Sequence, residues 1–185
     1  MPPNLPRRSF NALALAGVAG GLAACEIADP LERDLPPMGD FRLGFTIVVP
    51  DNVKKVPPSR NATQDQLKAS LESEIDRRFR AYDGAREYHI AVAIDGYALA
   101  PPGIPVVLTP KSIMAVTANV WTADPQEKVL GPEQIAVFEG VETLLLGSGL
   151  VKNAEEQLQT LSRNTAFKIQ TWMTKNGPVF GLPER

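Results

Sequence analysis

Cysteine and histidine each occur once in this 185-residue chain, and aromatic residues make up only 6% of it. A single cysteine excludes an internal disulfide framework and a cysteine-rich zinc site. A single histidine leaves little for histidine-based metal or acid–base chemistry. Charge of one sign is also lacking: 19 Lys and Arg stand against 21 Asp and Glu, a net charge of −2. With no positive excess to displace counterions from phosphates, nucleic acid is excluded as a partner. No apolar run reaches the roughly 18 residues that a membrane-crossing helix needs. What remains is a composition of 44% hydrophobic and 22% charged residues, that of an ordinary folded domain.

The first 24 residues have a composition of their own. Arg7 and Arg8 are their only charges, and Ala12 to Ala24 are all apolar or small. Thirteen residues of helix span roughly 20 Å, short of the ~30 Å hydrocarbon core. A basic start, a short apolar stretch and small residues before a cut describe a secretory signal peptide. The stretch ends in Leu22-Ala23-Ala24-Cys25. This resembles the lipobox of bacterial lipoproteins. The resemblance implies that the Cys25 thiol takes a diacylglycerol, that cleavage precedes Cys25, and that the new amine is acylated, commonly with palmitate. Small residues suit entry into a peptidase, and a thiol is the strongest nucleophile available for the transfer.

In the same family an Asp after the cysteine tends to retain the protein in the inner membrane. Glu26 stands there instead, which implies the periplasmic face of the outer membrane. Arg7-Arg8-Ser9-Phe10 resembles the twin-arginine export signal but lacks the Ser or Thr before the pair and the Leu-Lys after Phe10; simple n-region charge is the alternative. Removing residues 1–24 leaves 17 basic against 21 acidic side chains, a balance of −4. Such a surface gains nothing from anionic lipid, so attachment would rest on the acyl chains.

Residues 25–40 read as an acylated cysteine and tether, because Pro30, Pro36 and Pro37 oppose helix and central strand. An arm packed on the domain is the alternative. Residues 41–180 read as one domain and 181–185 as a tail. Phe41, Leu43, Phe45, Ile47 and Val49 alternate with more polar neighbours, predicting a first strand with those five on one face. Thr63 and Gln66 predict a capping box. Leu67, Leu71, Ile75, Phe79 and Tyr82 predict an amphipathic helix running to about Asp83-Gly84.

Alternation predicts further strands over about 87–99 and 111–122. A turn at Ala123–Gln126 leads to a fourth strand, broken near Gly131-Pro132 and resuming over 134–139. A long final helix is expected over about 150–175, with Val151, Ala154, Leu158, Leu161, Thr165, Ile169 and Trp172 as its buried stripe. The order β-α-β-β-β-α predicts an α/β two-layer sandwich, a four-stranded mixed sheet with two helices on one face. The whole resembles in layout uncharacterised envelope lipoproteins of alphaproteobacteria, and the topology resembles small accessory lipoproteins of secretion and cell-wall synthesis.

Candidates for chemistry are few. His89 has no acid to orient it: Asp95, on the same strand face, lies roughly 20 Å along at ~3.3 Å per residue. It reads as a surface or edge histidine. Glu72, Glu74 and Asp76 among Arg77, Arg78 and Arg80 read as solvated charges on the outer helix face, with an Asp76–Arg80 pair. Gly147-Ser148-Gly149 before the final helix offers an anion cradle only weakly, without the P-loop lysine. Phe167 lies about 180° from Leu158 around the helix. It is a candidate partner contact, and the small-residue sheet face carrying Ala91 and Ala93 is another. No metal, cofactor or catalytic set is indicated. The function expected is that of a non-enzymatic, lipid-anchored accessory protein binding another envelope component. A binder of a small apolar molecule or lipid, as transport-auxiliary lipoproteins are, is the alternative.

Overall fold

The computed structural model describes residues 35–101, 112–139 and 152–184. Strand β1 (Phe41–Val49) is rich in aromatic and β-branched residues, which fit a pleated, half-buried surface. A two-residue strand, β2 (Lys54–Lys55), follows. Helix α1 (Gln64–Phe79) starts on the expected capping box: Thr63 Oγ1 accepts from the Gln66 N–H at 3.2 Å, and the Thr63 N–H donates to Gln66 Oε1 at 2.8 Å. Leu67, Leu71, Ile75 and Phe79 are all fully buried, as their spacing requires. The helix ends at Phe79, a turn before the expected Asp83-Gly84.

Strands β3 (Arg86–Ala98), β4 (Ile113–Thr122) and β5 (Lys128–Phe138) complete the sheet. The order is β1-β3-β4-β5; β1 and β3 are parallel and the rest is an antiparallel meander. β2 pairs with Gly96 and Tyr97 of β3, where β1 has ended, and adds a fifth strand to the four expected. β5 is not interrupted near Gly131-Pro132. It continues past them with a shift of register, and Gly131 takes φ +96°, a conformation that favours glycine.

Helix α2 (Ala154–Lys175) begins later than expected, at a second capping box formed by Asn153 and Glu156. A 3-10 turn, Gly177–Phe180, then returns Phe180 to the core. The two helices run side by side and parallel. Ser70 Oγ meets Ser162 Oγ at 2.9 Å and Arg78 Nε meets Gln170 Oε1 at 2.8 Å, eight residues further on in both. They cover the sheet face that carries Tyr88, Ile90, Val92, Met114, Val116 and Val120. Met173 rather than Trp172 enters the core; Trp172 packs at its margin, half-buried.

The scarce aromatics are concentrated at one end. The Phe41 ring stacks on Tyr88 at 5.4 Å and meets Phe79, Tyr82 and Phe180 edge-on at 5.7–5.8 Å. Such contacts add to the apolar burial. Met38 joins this cluster at 2% exposure. The Asp40 N–H donates to Phe180 O at 2.8 Å, and Tyr82 Oη donates to Pro36 O at 3.0 Å. Residues 36–40, expected in the tether, are therefore fastened to the domain.

Candidate functional site

The expected face of β1 is broken by a bulge. Leu43 pairs with Tyr88 and Thr46 with Ile90, so Gly44 and Phe45 together oppose His89. An extra residue in one strand reverses the side on which every later residue lies. Phe41 and Leu43 stay in the core. Beyond the bulge, Thr46 and Val48 turn to the helices. Thr46 Oγ1 donates to Asp76 Oδ1 at 2.6 Å, and the Val48 N–H donates to Glu72 Oε1 at 3.3 Å. Phe45, Ile47 and Val49 turn the other way and are 65%, 49% and 42% exposed.

His89 holds this arrangement. Its Nδ1 accepts the Phe45 N–H at 3.1 Å, the group the bulge would otherwise leave unpaired, and its ring lies 5.1 Å from that of Phe45. Accepting at Nδ1 places the ring proton on Nε2. Gly44 makes the close approach possible. A Cβ there would sit 2.7 Å from Glu87 Oε1 and from His89 Nδ1.

Among the described residues no helix covers the opposite sheet face, which continues from that strip. Ile47 lies beside Ala91 and then Asn119, and Val49 beside Ala93 and then Thr117. Ala115 pairs with Ala136 further along. Small side chains thus form a shallow floor bordered by the β1 strip, and Phe138, 55% exposed, stands on β5 beside Ile113. Exposed apolar side chains grouped in this way mark interaction surfaces more than scattered ones do. Along the outer edge of β1, Glu72 and Asp76 occupy the Val48 N–H and the Thr46 hydroxyl, which blunts that edge against strand addition.

The other expected positions fall as follows. Cys25 and Gly147-Ser148-Gly149 lie outside the described residues. Phe167 is half-buried, with the Arg78 guanidinium carbon 4.7 Å from its ring centroid. A cation–π contact within the chain therefore takes one face of the expected partner residue. Asp95 accepts from Thr117 Oγ1 at 2.8 Å. Asp76 pairs with Arg80 at 2.6 Å, as expected. Glu74 and Arg78 are not solvated: both are 4% exposed, because α2 packs over that side of α1.

Arg78, Gln170 and Tyr82 form a chain of polar contacts that sequence reasoning did not foresee. Gln170 accepts from Arg78 Nε, and its Nε2 donates to Tyr82 Oη at 2.6 Å. Burial raises the Tyr82 pKa above its usual 10.0; the Gln170 hydrogen bond and the Arg78 charge oppose that shift. Among the described residues no helix is long and apolar enough to cross a membrane, and no three His, Cys, Asp or Glu residues group as metal ligands.

No family model matches the chain, and no curated protein does. Solved structures with a similar layout include a DUF330-family protein from Xanthomonas campestris, 12% identical at a TM-score of 0.42, covering 77% of this chain and 92% of that one. A candidate lipoprotein from Caulobacter crescentus is 13% identical at 0.36, covering 72% and 94%. A minor lipoprotein from Acinetobacter baumannii is 13% identical at 0.30, covering 71% and 93%. At these values the likeness carries no argument about function.

Proposed function

We propose that this is a non-enzymatic, lipid-anchored accessory protein of the bacterial envelope, which binds another envelope protein through the sheet face opposite its two helices. The observation that carries the reading is the bulge at Gly44-Phe45, which turns Phe45, Ile47 and Val49 outward beside a floor of alanines. Leu22-Ala23-Ala24-Cys25 supplies the anchor, and Glu26 favours the periplasmic face of the outer membrane. Ten peptide steps separate Cys25 from Leu35 and span at most about 35 Å. That length sets how far from the bilayer a partner is met. The apolar-ligand alternative needs a cavity between sheet and helices. Leu67, Leu71, Ile75, Ile90, Val116 and Leu161 fill that layer, all fully buried.

The test is a photo-crosslinking residue placed at Ile47 and, as a control, at Arg80 on the exposed side of α1. In intact cells Ile47 should yield a discrete adduct with an envelope protein and Arg80 should not. Adding Ile47→Glu to a crosslinker at Phe45 should remove the adduct formed there. Equal adducts from Ile47 and Arg80, or none from Ile47, would overturn the docking assignment.

A further inference from the structure

Among the described residues β5 is the last strand of the sheet, at the opposite edge from β1. Hydrogen-bond parity fixes what its outer edge presents. The Glu139 N–H donates to Ser112 O at 3.0 Å, and pairing then runs unbroken from Ile113–Phe138 to Ala118–Glu133. Bonded and non-bonded pairs alternate along an antiparallel ladder. Ile135 and Val137 therefore bond to β4, while Gln134, Ala136 and Phe138 turn their N–H and C=O groups outward. Among the described residues no group bonds to these.

The two edges of the sheet differ. Glu72 and Asp76 blunt β1, whereas residues 134–138 carry no charge, no proline and no bulge, and Phe138 stands exposed at their end. An edge without such devices is a template for another strand. The stretch is complementary to itself. A two-fold axis at Ala136 sets Ala136 against Ala136, Gln134 against Phe138 and Ile135 against Val137 of a second copy, and every outward N–H and C=O finds a partner. Centring on Gln134 instead would set Pro132, which has no N–H, against Ala136.

We propose that two copies of this chain pair antiparallel along residues 134–138 of β5, about a two-fold axis at Ala136, and join their sheets edge to edge. Charge at the ends of the seam agrees. The same register sets Glu133 of one copy opposite Glu139 of the other. Glu133 is exposed and, among the described residues, has no ion-pair partner. Glu139 is buried, neither of its oxygens accepts a hydrogen bond, and Lys152 Nζ stands 3.5 Å from Oε1. Lys152 thus lies between two carboxylates in the pair of copies, where it meets one in a single copy. The seam is shorter than a standard interface, so dissociation belongs at roughly 10–100 μM. This contact is separate from the docking reading: it leaves both β1 strips open at the far edges of the joined sheet.

The experiment introduces cysteines into the full chain in intact cells, applies a mild oxidant and identifies the linked peptides by mass, so that Cys25 does not enter the result. Hydrogen-bonded antiparallel pairs have Cα atoms about 5.5 Å apart, within disulfide range. Ala136→Cys should link to itself, and Arg80→Cys, exposed on α1, should not. Gln134→Cys should link to Phe138→Cys in a differently tagged copy but not to itself, since that pair stands more than about 13 Å apart. Ala136→Pro removes an N–H that β4 does not use, so it should prevent the 134–138 link and leave the melt unchanged. Sedimentation of the full chain in detergent should show a dimer that Ala136→Pro weakens at least tenfold and Glu133→Lys about fivefold. No Ala136→Cys link, equal linking from Arg80→Cys, or association that survives both Ala136→Pro and Glu133→Lys would each overturn the assignment.

Discussion

Replacing Met38 by alanine should unfold the domain at a clearly lower temperature, although residue 38 lies in a proline-flanked stretch that reads as a tether. Met38 is 2% exposed and packs into the core cluster that holds Phe41 and Phe180. The change deletes three buried side-chain atoms. Large-to-alanine core changes of this kind cost about 2–5 kcal/mol. The neighbouring Asp40-to-Phe180 hydrogen bond holds the backbone in place, so the site has little room to collapse, and about 3 kcal/mol is expected. For a domain of roughly 150 residues, each kcal/mol lowers Tm by about 2–4 °C, which gives about 6–12 °C. Leu35→Ala is the control, because Leu35 is 39% exposed and should change stability by no more than about 0.5 kcal/mol. Thermal melts of the full chain in detergent, followed by far-ultraviolet circular dichroism, read both. If Met38→Ala melts within a degree of the parent, the segment before Phe41 contributes nothing to the core and the domain starts where the strand does.

Tyr82→Phe removes the hydroxyl that links Gln170 to Pro36 and should cost about 1–2 kcal/mol in a chemical denaturation curve at neutral pH. Because burial raises the Tyr82 pKa, the folded state favours the neutral phenol. That contribution is complete below about pH 10 and is lost as pH rises through the raised value, so the parent should lose stability in alkali more steeply than Tyr82→Phe. Asn153→Ala removes the side-chain acceptor for the Glu156 N–H and should cost about 1 kcal/mol, measured by urea unfolding; no change would mean that α2 is fixed by packing alone.

Local signals and tertiary ones divide what the sequence made legible. The order of strands and helices follows from alternation, from the Thr63–Gln66 box and from the turn at 123–126, all of which act within a few residues. The start of α2 was legible in the same way, since Asn153 and Glu156 stand three apart, but the apolar residues before them drew the expected helix back to 150. The reversal within β1 was not legible. Phe41 to Val49 alternates without a break, and only the approach of Gly44 to His89 and of Thr46 to Asp76 selects the bulge. The setting of Phe167 was not legible for a related reason: a helical wheel places Phe167 opposite Leu158 but does not show that Arg78 of α1 reaches over it. Trp172 and Met173 are neighbours in sequence, about 100° apart on the wheel, and the return of Phe180 to the core accompanies the choice of Met173. The scarcity of histidine predicted little chemistry for His89, and a backbone role carries no signature of residue type.

The measurement that bears most directly on the proposal is the intact mass and N-terminal peptide of the protein extracted from its own membranes. The account predicts a chain that begins at Cys25, with a diacylglyceryl group on sulfur and an acyl chain on the amine. It also predicts that Cys25→Ser leaves the signal uncut and the thioether absent. An unmodified Cys25, or a mature chain beginning at another residue, would contradict the lipid anchor and with it the assignment of this domain to a membrane-tethered role.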